Sequence, residues 1–245
     1  MNKKGISHIE IMISFTLFIS LLAVIFIFIQ PVKEPKLNNV ALDIVEYGLE
    51  KNASISLATL PFKINLSQIT QTTQTASTTP INCFTIDNPL NMSELKKENI
   101  FVTSSNGLNL AFDVTSNKIT LPKREDFYYL HFSFDDTFPN GDYNGEGCPT
   151  INPDKVTFSA PRTEALLSFN KLDQLNKTYH NNYEELKKQW FVPEKNNFAI
   201  TIKGSTNFNM SRKILLGKDI FTRSFTKNMI KGTVVEQVNV NIKVW

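Results

Sequence analysis

Residues Ile11 to Ile29 read IMISFTLFISLLAVIFIFI, and every one of them is apolar or a small hydroxyl. As a helix rising 1.5 Å per residue the stretch spans roughly 28 Å, about the thickness of a bilayer's hydrocarbon core. Lys3 and Lys4 precede it and Gln30-Pro31 follows it. The basic pair favours a cytoplasmic N-terminus, which predicts a single-pass helix with the rest of the chain outside. A conventional secretory signal has a shorter apolar core and a small-x-small exit, neither of which fits here.

Two residues separate the stretch from a plain anchor. Gly5 stands between the lysines and the apolar run, so a cut there would leave Ile6 as the first residue and keep the hydrophobic part. Glu10 is an acid at the head of the span, where a carboxylate costs on the order of 3 kcal/mol near the membrane centre and less towards the end. A new amine on Ile6 would supply a counter-charge, and a neighbouring subunit's amine is better placed for it than the helix's own.

Lys3-Lys4-Gly5-Ile6-Ser7-His8-Ile9-Glu10 and the apolar run resemble the class III (prepilin) signal segment of type IV pilin-like proteins, in the archaeal form. The resemblance covers about the first thirty residues. It implies cleavage after Gly5 by a prepilin peptidase, Ile6 as the mature N-terminus and Glu10 as the assembly carboxylate. It further implies other pilin-like subunits as partners, a membrane location before assembly and a cell-surface filament afterwards. On this basis the chain is expected to be a structural filament subunit and not an enzyme. The alternative is a membrane-anchored extracytoplasmic ligand-binding protein that uses the same signal.

The expected layout is a leader over 1–5, a hydrophobic helix over 6–30, a stalk or hinge with a short helix over 31–52, and a β-rich head over 53–245. The expected fold class is α+β: the N-terminal hydrophobic helix, then an antiparallel, sandwich-like head with one packed amphipathic helix. Leu37, Val40, Ala41, Ile44, Val45 and Leu49 recur at helical spacing after Pro35. Ser67–Pro80, rich in Thr, Gln and Ser, reads as an exposed loop. Asn106-Gly107 and Lys231-Gly232 mark hairpins. Leu108, Leu110, Phe112 and Val114 are expected on one face of the arm after the first turn, and Leu130, Phe132 and Phe134 on the core side of another strand. Ser168 is positioned to cap a helix carrying Leu172, Leu175, Tyr179, Tyr183, Leu186 and Trp190. In the last strand Val238, Val240, Ile242 and Val244 share one face.

The 245 residues carry 20% charged and 11% aromatic side chains, a folding composition. A net charge of +3, evenly spread along the sequence, gives no reason to expect a nucleic-acid partner. Two cysteines, Cys83 and Cys148, are expected to pair in an oxidising exterior. Their bridge would close a loop of about 65 residues and stabilise by up to roughly 4 kcal/mol.

No phosphate loop, zinc-protease motif or nucleophile elbow occurs. The Asn140-Gly141-Asp142-Tyr143-Asn144-Gly145 segment resembles the first half of a calcium loop, which makes Asn140, Asp142 and Asn144 candidate Ca2+ ligands. Its twelfth position is Ile151 where an EF-hand has Glu, and a Gly-rich surface turn is the competing reading. No other cofactor is expected. Five N-x-S/T sequons, at Asn52, Asn65, Asn91, Asn176 and Asn209, are compatible with an exterior head.

Overall fold

Val238, Val240, Ile242 and Val244 alternate with Gln237, Asn239, Asn241 and Lys243, and this period of two divides the molecule. In the computed structural model the four apolar side chains are fully buried on one side of a sheet, and the polar ones stand on the other. Residues 8–28, 35–65, 82–90, 96–115, 117–143, 147–214 and 217–245 are described, with side chains from 12–24 in the first helix and from 39 onward in the second.

The elements in order are α1 (His8–Phe28), α2 (Pro35–Ala53), β1 (Ser54–Ile64), β2 (Cys83–Asp87), β3 (Ile100–Ser104), β4 (Asn109–Leu110), β5 (Asp113–Thr115), β6 (Lys118–Pro122) and β7 (Phe127–Phe132). Then follow β8 (Val156–Phe158), β9 (Arg162–Ser168), α3 (Phe169–Asn181), α4 (Tyr183–Gln189), β10 (Phe198–Lys203), β11 (Phe208–Met210), β12 (Phe221–Lys231) and β13 (Val234–Val244). Ten strands form one sheet in the order β11-β10-β13-β12-β9-β1-β7-β3-β4, with β8 also paired to β1. Its pairs are antiparallel except β9 with β12, which run parallel. A second sheet has the order β2-β6-β5.

The register keeps one face of the long sheet continuous. Ser54 lies opposite Leu167 and Ala58 opposite Phe132, so Leu60, Phe62 and Ile64 share a face with Leu167, Met229 and the valines of β13. At one end α2, α3 and α4 cover that face with Ala41, Val45, Leu49, Leu172, Tyr179, Tyr183 and Leu186. At the other end the small sheet covers it with Phe84, Ile86, Ile119 and Leu121. Each such side chain contributes on the order of 1.5–3 kcal/mol when fully buried, so this covered face carries most of the driving force for folding.

The helices are tied to the sheet by polar contacts as well. Tyr179 Oη donates to the carbonyl oxygen of Phe198 at 2.5 Å, and Tyr183 Oη accepts from the Phe198 amide at 2.9 Å. Arg223 Nη1 lies 2.6 Å from both Asp43 and Glu46 carboxylates, and Lys227 Nζ lies 2.6 Å from Glu50, so β12 holds one flank of α2 at successive turns. The Ser168 side chain caps α3 by accepting from the Lys171 amide at 3.2 Å. The stripe expected as one helix is two, because the chain turns at Asn182 between α3 and α4.

The uncovered face differs from end to end. In the middle, Ile55, Leu57, Phe101, Leu166 and Ile230 make a small cluster closed by Phe138 from the loop after β7. On β10, β13 and β12 the face is polar and open. Two strand expectations change. Phe134 is exposed because β7 ends at Phe132, and the arm after Gly107 divides so that β4 joins the long sheet while β5 joins the small one. Leu108 is therefore exposed, while Leu110 and Phe112 are buried.

The N-terminal expectations are corrected. α1 is helical and its described side chains are exposed except Leu22, which is half-buried. Among the described residues no helix is long and apolar enough to cross a membrane. Among the described residues the fold class is therefore a β-rich sheet domain with packed helices, without a transmembrane or filament helix. The resemblance to a type IV pilin-like protein, the filament-subunit function and its membrane-anchored alternative are set aside on the same finding. So is the single-pass membrane and surface-filament location.

Candidate functional site

The open polar end of the long sheet is assembled by strand register. Thr201, Asn241 and Ser224 lie side by side on β10, β13 and β12, and Lys203, Asn239 and Thr226 form the next row. Ala199, Lys243 and Thr222 make the row on the other side, and Gln237 with Asn228 extends the grid along β13 and β12. These side chains point away from the core because their neighbours Ile200, Ile202, Val238, Val240 and Ile242 fill it. A depression of about 410 Å³ lies on this face, lined by Thr201, Lys203, Ser224, Thr226, Asn239, Asn241 and Lys243 among others.

Within the grid, Asn241 Nδ2 donates to Ser224 Oγ at 2.6 Å. That bond orients the amide across two strands and leaves its carbonyl oxygen as an acceptor. Asn228 Nδ2 donates to Glu164 Oε1 at 2.7 Å and carries the polar network onto β9. Beyond the turn end, Glu236 accepts from the backbone amide of Ser205 at 3.0 Å and from its hydroxyl at 2.6 Å. Those bonds from Ser205, with Lys231 nearby, hold the Glu236 carboxyl below its usual range. The grid thus offers hydroxyls, amides and two ammonium groups, Lys203 and Lys243, with the Glu164 carboxylate at its β9 edge.

Further along the same face, His131 is locked into the sheet. Thr59 Oγ1 lies 2.9 Å from Nδ1, and Thr103 Oγ1 lies 3.0 Å from Nε2. The ring stacks on Phe101 with centroids 4.4 Å apart and planes 11° apart. Burial lowers the imidazole to about 4, so it is neutral at ordinary pH. One threonine hydroxyl then donates to the ring and the other accepts from it. Both nitrogens are engaged, and the group serves the packing of β1, β7 and β3.

The residues singled out in the sequence are scattered. Gly5 and Ile6 lie outside the described residues, as does the side chain of Glu10. Cys83 and Cys148 are joined by a disulfide with Cα atoms 5.3 Å apart. Beside it Thr85 donates its amide to Pro149 at 2.9 Å and accepts from the Ile151 amide at 2.8 Å, so the segment after Cys148 runs along β2. Of the calcium candidates, Asn140 donates Nδ2 to the Lys97 carbonyl at 2.5 Å, and Asp142 is paired with Lys97 Nζ at 2.8 Å. That lysine holds the Asp142 carboxyl below its usual range. Asn144 lies outside the described residues. Among the described residues no group of three His, Cys, Asp or Glu side chains is placed to hold a metal ion.

The grid was readable only in part. Alternation in β13 announces that Asn239, Asn241 and Lys243 face away from the core, but not which strands lie on either side. Thr201 and Ser224 come from strands 40 and 17 residues earlier than Asn241, and only pairing places all three in one row. No protein family, curated protein or solved structure matches this chain.

Proposed function

We propose that this chain is a non-catalytic binding protein whose open sheet face takes a neutral, hydroxyl-rich polymer of the glycan class. The observation that supports this reading is the register of Thr201, Asn241 and Ser224 beside Lys203, Asn239 and Thr226 on three adjacent strands. An asparagine amide both donates and accepts, as a sugar hydroxyl does, and serine and threonine match it in the same way. Neighbouring strands lie about 4.8 Å apart and same-face residues about 6.8 Å apart along a strand, a spacing on the scale of one sugar ring. The surface is a shallow depression rather than a deep cavity, which suits an extended chain lying across the strands. A rigid sheet backed by the buried residues of β13 presents these groups without ordering a loop, which lowers the entropic cost of binding.

The reading as a binder rather than an enzyme is supported by the state of His131, whose two nitrogens are both taken by threonines. Calorimetric titration of the full chain with cello-, manno- and galacto-oligosaccharides of about six units tests the proposal. Binding of at least one series at millimolar affinity or tighter supports it, and no heat with any of the three overturns it.

A further inference from the structure

At the end of the long sheet, next to the first residues of β10, a separate cavity of about 560 Å³ is lined by Lys195, Asn197, Arg212, Lys213, Lys218 and Trp245. Four of these six side chains are cations and none is a carboxylate. The floor is fixed by backbone, because Asn197 and Trp245 exchange amide-to-carbonyl hydrogen bonds at 2.7 and 3.0 Å. Arg212 is held in place as well. Its guanidinium lies 3.9 Å above the Tyr183 ring, and the hydroxyl of that ring is anchored to the Phe198 amide. Stacking uses the flat face of a guanidinium and leaves its in-plane N–H groups to meet an acceptor. The one carboxylate near it, Glu184, is 3.8 Å away and both groups are largely exposed, so that pair is weak.

Among the described residues no ion pair links Lys195, Lys213 or Lys218 to an acid. Like charges gathered round one concave site repel one another and raise the local concentration of anions. The even charge of the sequence hides this, since the four cations come from the loop before β10 and the loop after β11 and converge only in the fold. Because the four cations come from two loops, a molecule with two anionic groups on a compact frame would reach both the Arg212 and the lysine sides.

We infer that this cavity binds a small polyanion carrying phosphate or sulfate groups. The site is separate from the polar grid and does not rest on the glycan reading. Phosphate and sulfate share the relevant chemistry, so two probes distinguish the sources: inorganic pyrophosphate, and a fully sulfated disaccharide with its unsulfated parent as control. The chain has two tryptophans, and Trp245 lines the cavity, so fluorescence of the full chain reports occupancy.

Saturable binding of either anion in the micromolar range at moderate salt is expected, with no response to the neutral parent. Lys213→Gln/Lys218→Gln should weaken it at least tenfold without shifting the melting temperature, while Lys63→Gln, an exposed lysine on β1, should not. Arg212→Gln gives a second reading, and Arg212→Lys should restore only part of the loss because a lysine cannot stack and fork at once. The inference is overturned if neither anion saturates at millimolar concentration, or if Lys63→Gln weakens binding as much as Lys213→Gln/Lys218→Gln.

Discussion

Gly48 lies directly beneath the indole of Trp190, so that a Cβ at Gly48 would sit 2.4 Å from Trp190 Cδ2 and 2.6 Å from Cε3. This contact is where α2 meets the end of α4, inside the larger core. Alanine normally favours a helix over glycine by about 1 kcal/mol. Here the overlap is with the ring itself rather than the end of a flexible chain, and Trp190 also stacks on Phe198.

Gly48→Ala is therefore expected to destabilise, by about 1–3 kcal/mol, because overpacking outweighs the propensity gain. Urea unfolding of the two proteins checks it. Equal or greater stability of the variant would show that α2 and α4 do not approach as described.

Phe191 offers the opposite sign. It follows α4 with φ +58 and is 83% exposed, a left-handed conformation that costs a non-glycine residue about 1 kcal/mol or more. Glycine is the usual occupant of such a position after a helix. Phe191→Gly should raise stability by roughly 1 kcal/mol in the same unfolding assay, and a loss of stability would mean that the ring contributes packing its exposure does not show.

What was legible in the sequence follows from how local each feature is. Ser168 and the apolar positions of β13 are set by residues within a turn or two and stand where their periodicity places them, while the stripe from Leu172 to Trp190 is buried but divided between α3 and α4 by the turn at Asn182. The division of the arm after Gly107 between two sheets was not legible, because Leu110 and Val114 alternate in step whether or not the strand is broken at Phe112. The membrane reading failed for a different reason. It rests on the composition of Ile11–Ile29 alone, and among the described residues no helix is long and apolar enough to cross a membrane. The binding grid and the cation cavity are products of long-range pairing, and a single sequence carries no record of which strands become neighbours.

His131 makes stability depend on pH. Its folded value of about 4 lies below the ordinary 6.5, so between those values the unfolded chain binds more protons. Stability from this group is fully present above about pH 6.5 and is lost as pH falls towards 4, at up to about 1.4 kcal/mol per unit and about 3 kcal/mol in all. Unfolding free energies of the wild type and His131→Gln measured from pH 7.5 to 4 should converge as pH falls. Parallel curves would contradict the burial of a neutral imidazole between Thr59 and Thr103.

Lys203 and Lys243 flank the grid but are not expected to dominate a neutral ligand's affinity. Raising salt from about 0.05 to 0.5 M shortens the Debye length to a few ångströms and should change oligosaccharide affinity less than twofold. A tenfold loss, measured by the same calorimetry, would mean that charge rather than the amides and hydroxyls recognises the ligand.

Asn239 and Asn241, set in register with Thr201, Ser224 and Thr226, are proposed to form the binding surface. The most direct measurement is the affinity of the Asn239→Ala/Asn241→Ala variant for whichever oligosaccharide series the wild type binds. Both residues are on the solvent side of β13, so the melting temperature should stay within a few degrees of wild type. A loss of at least tenfold, about 1.4 kcal/mol, is expected from removing two amides that each donate and accept. Unchanged affinity in a normally folded variant would contradict it.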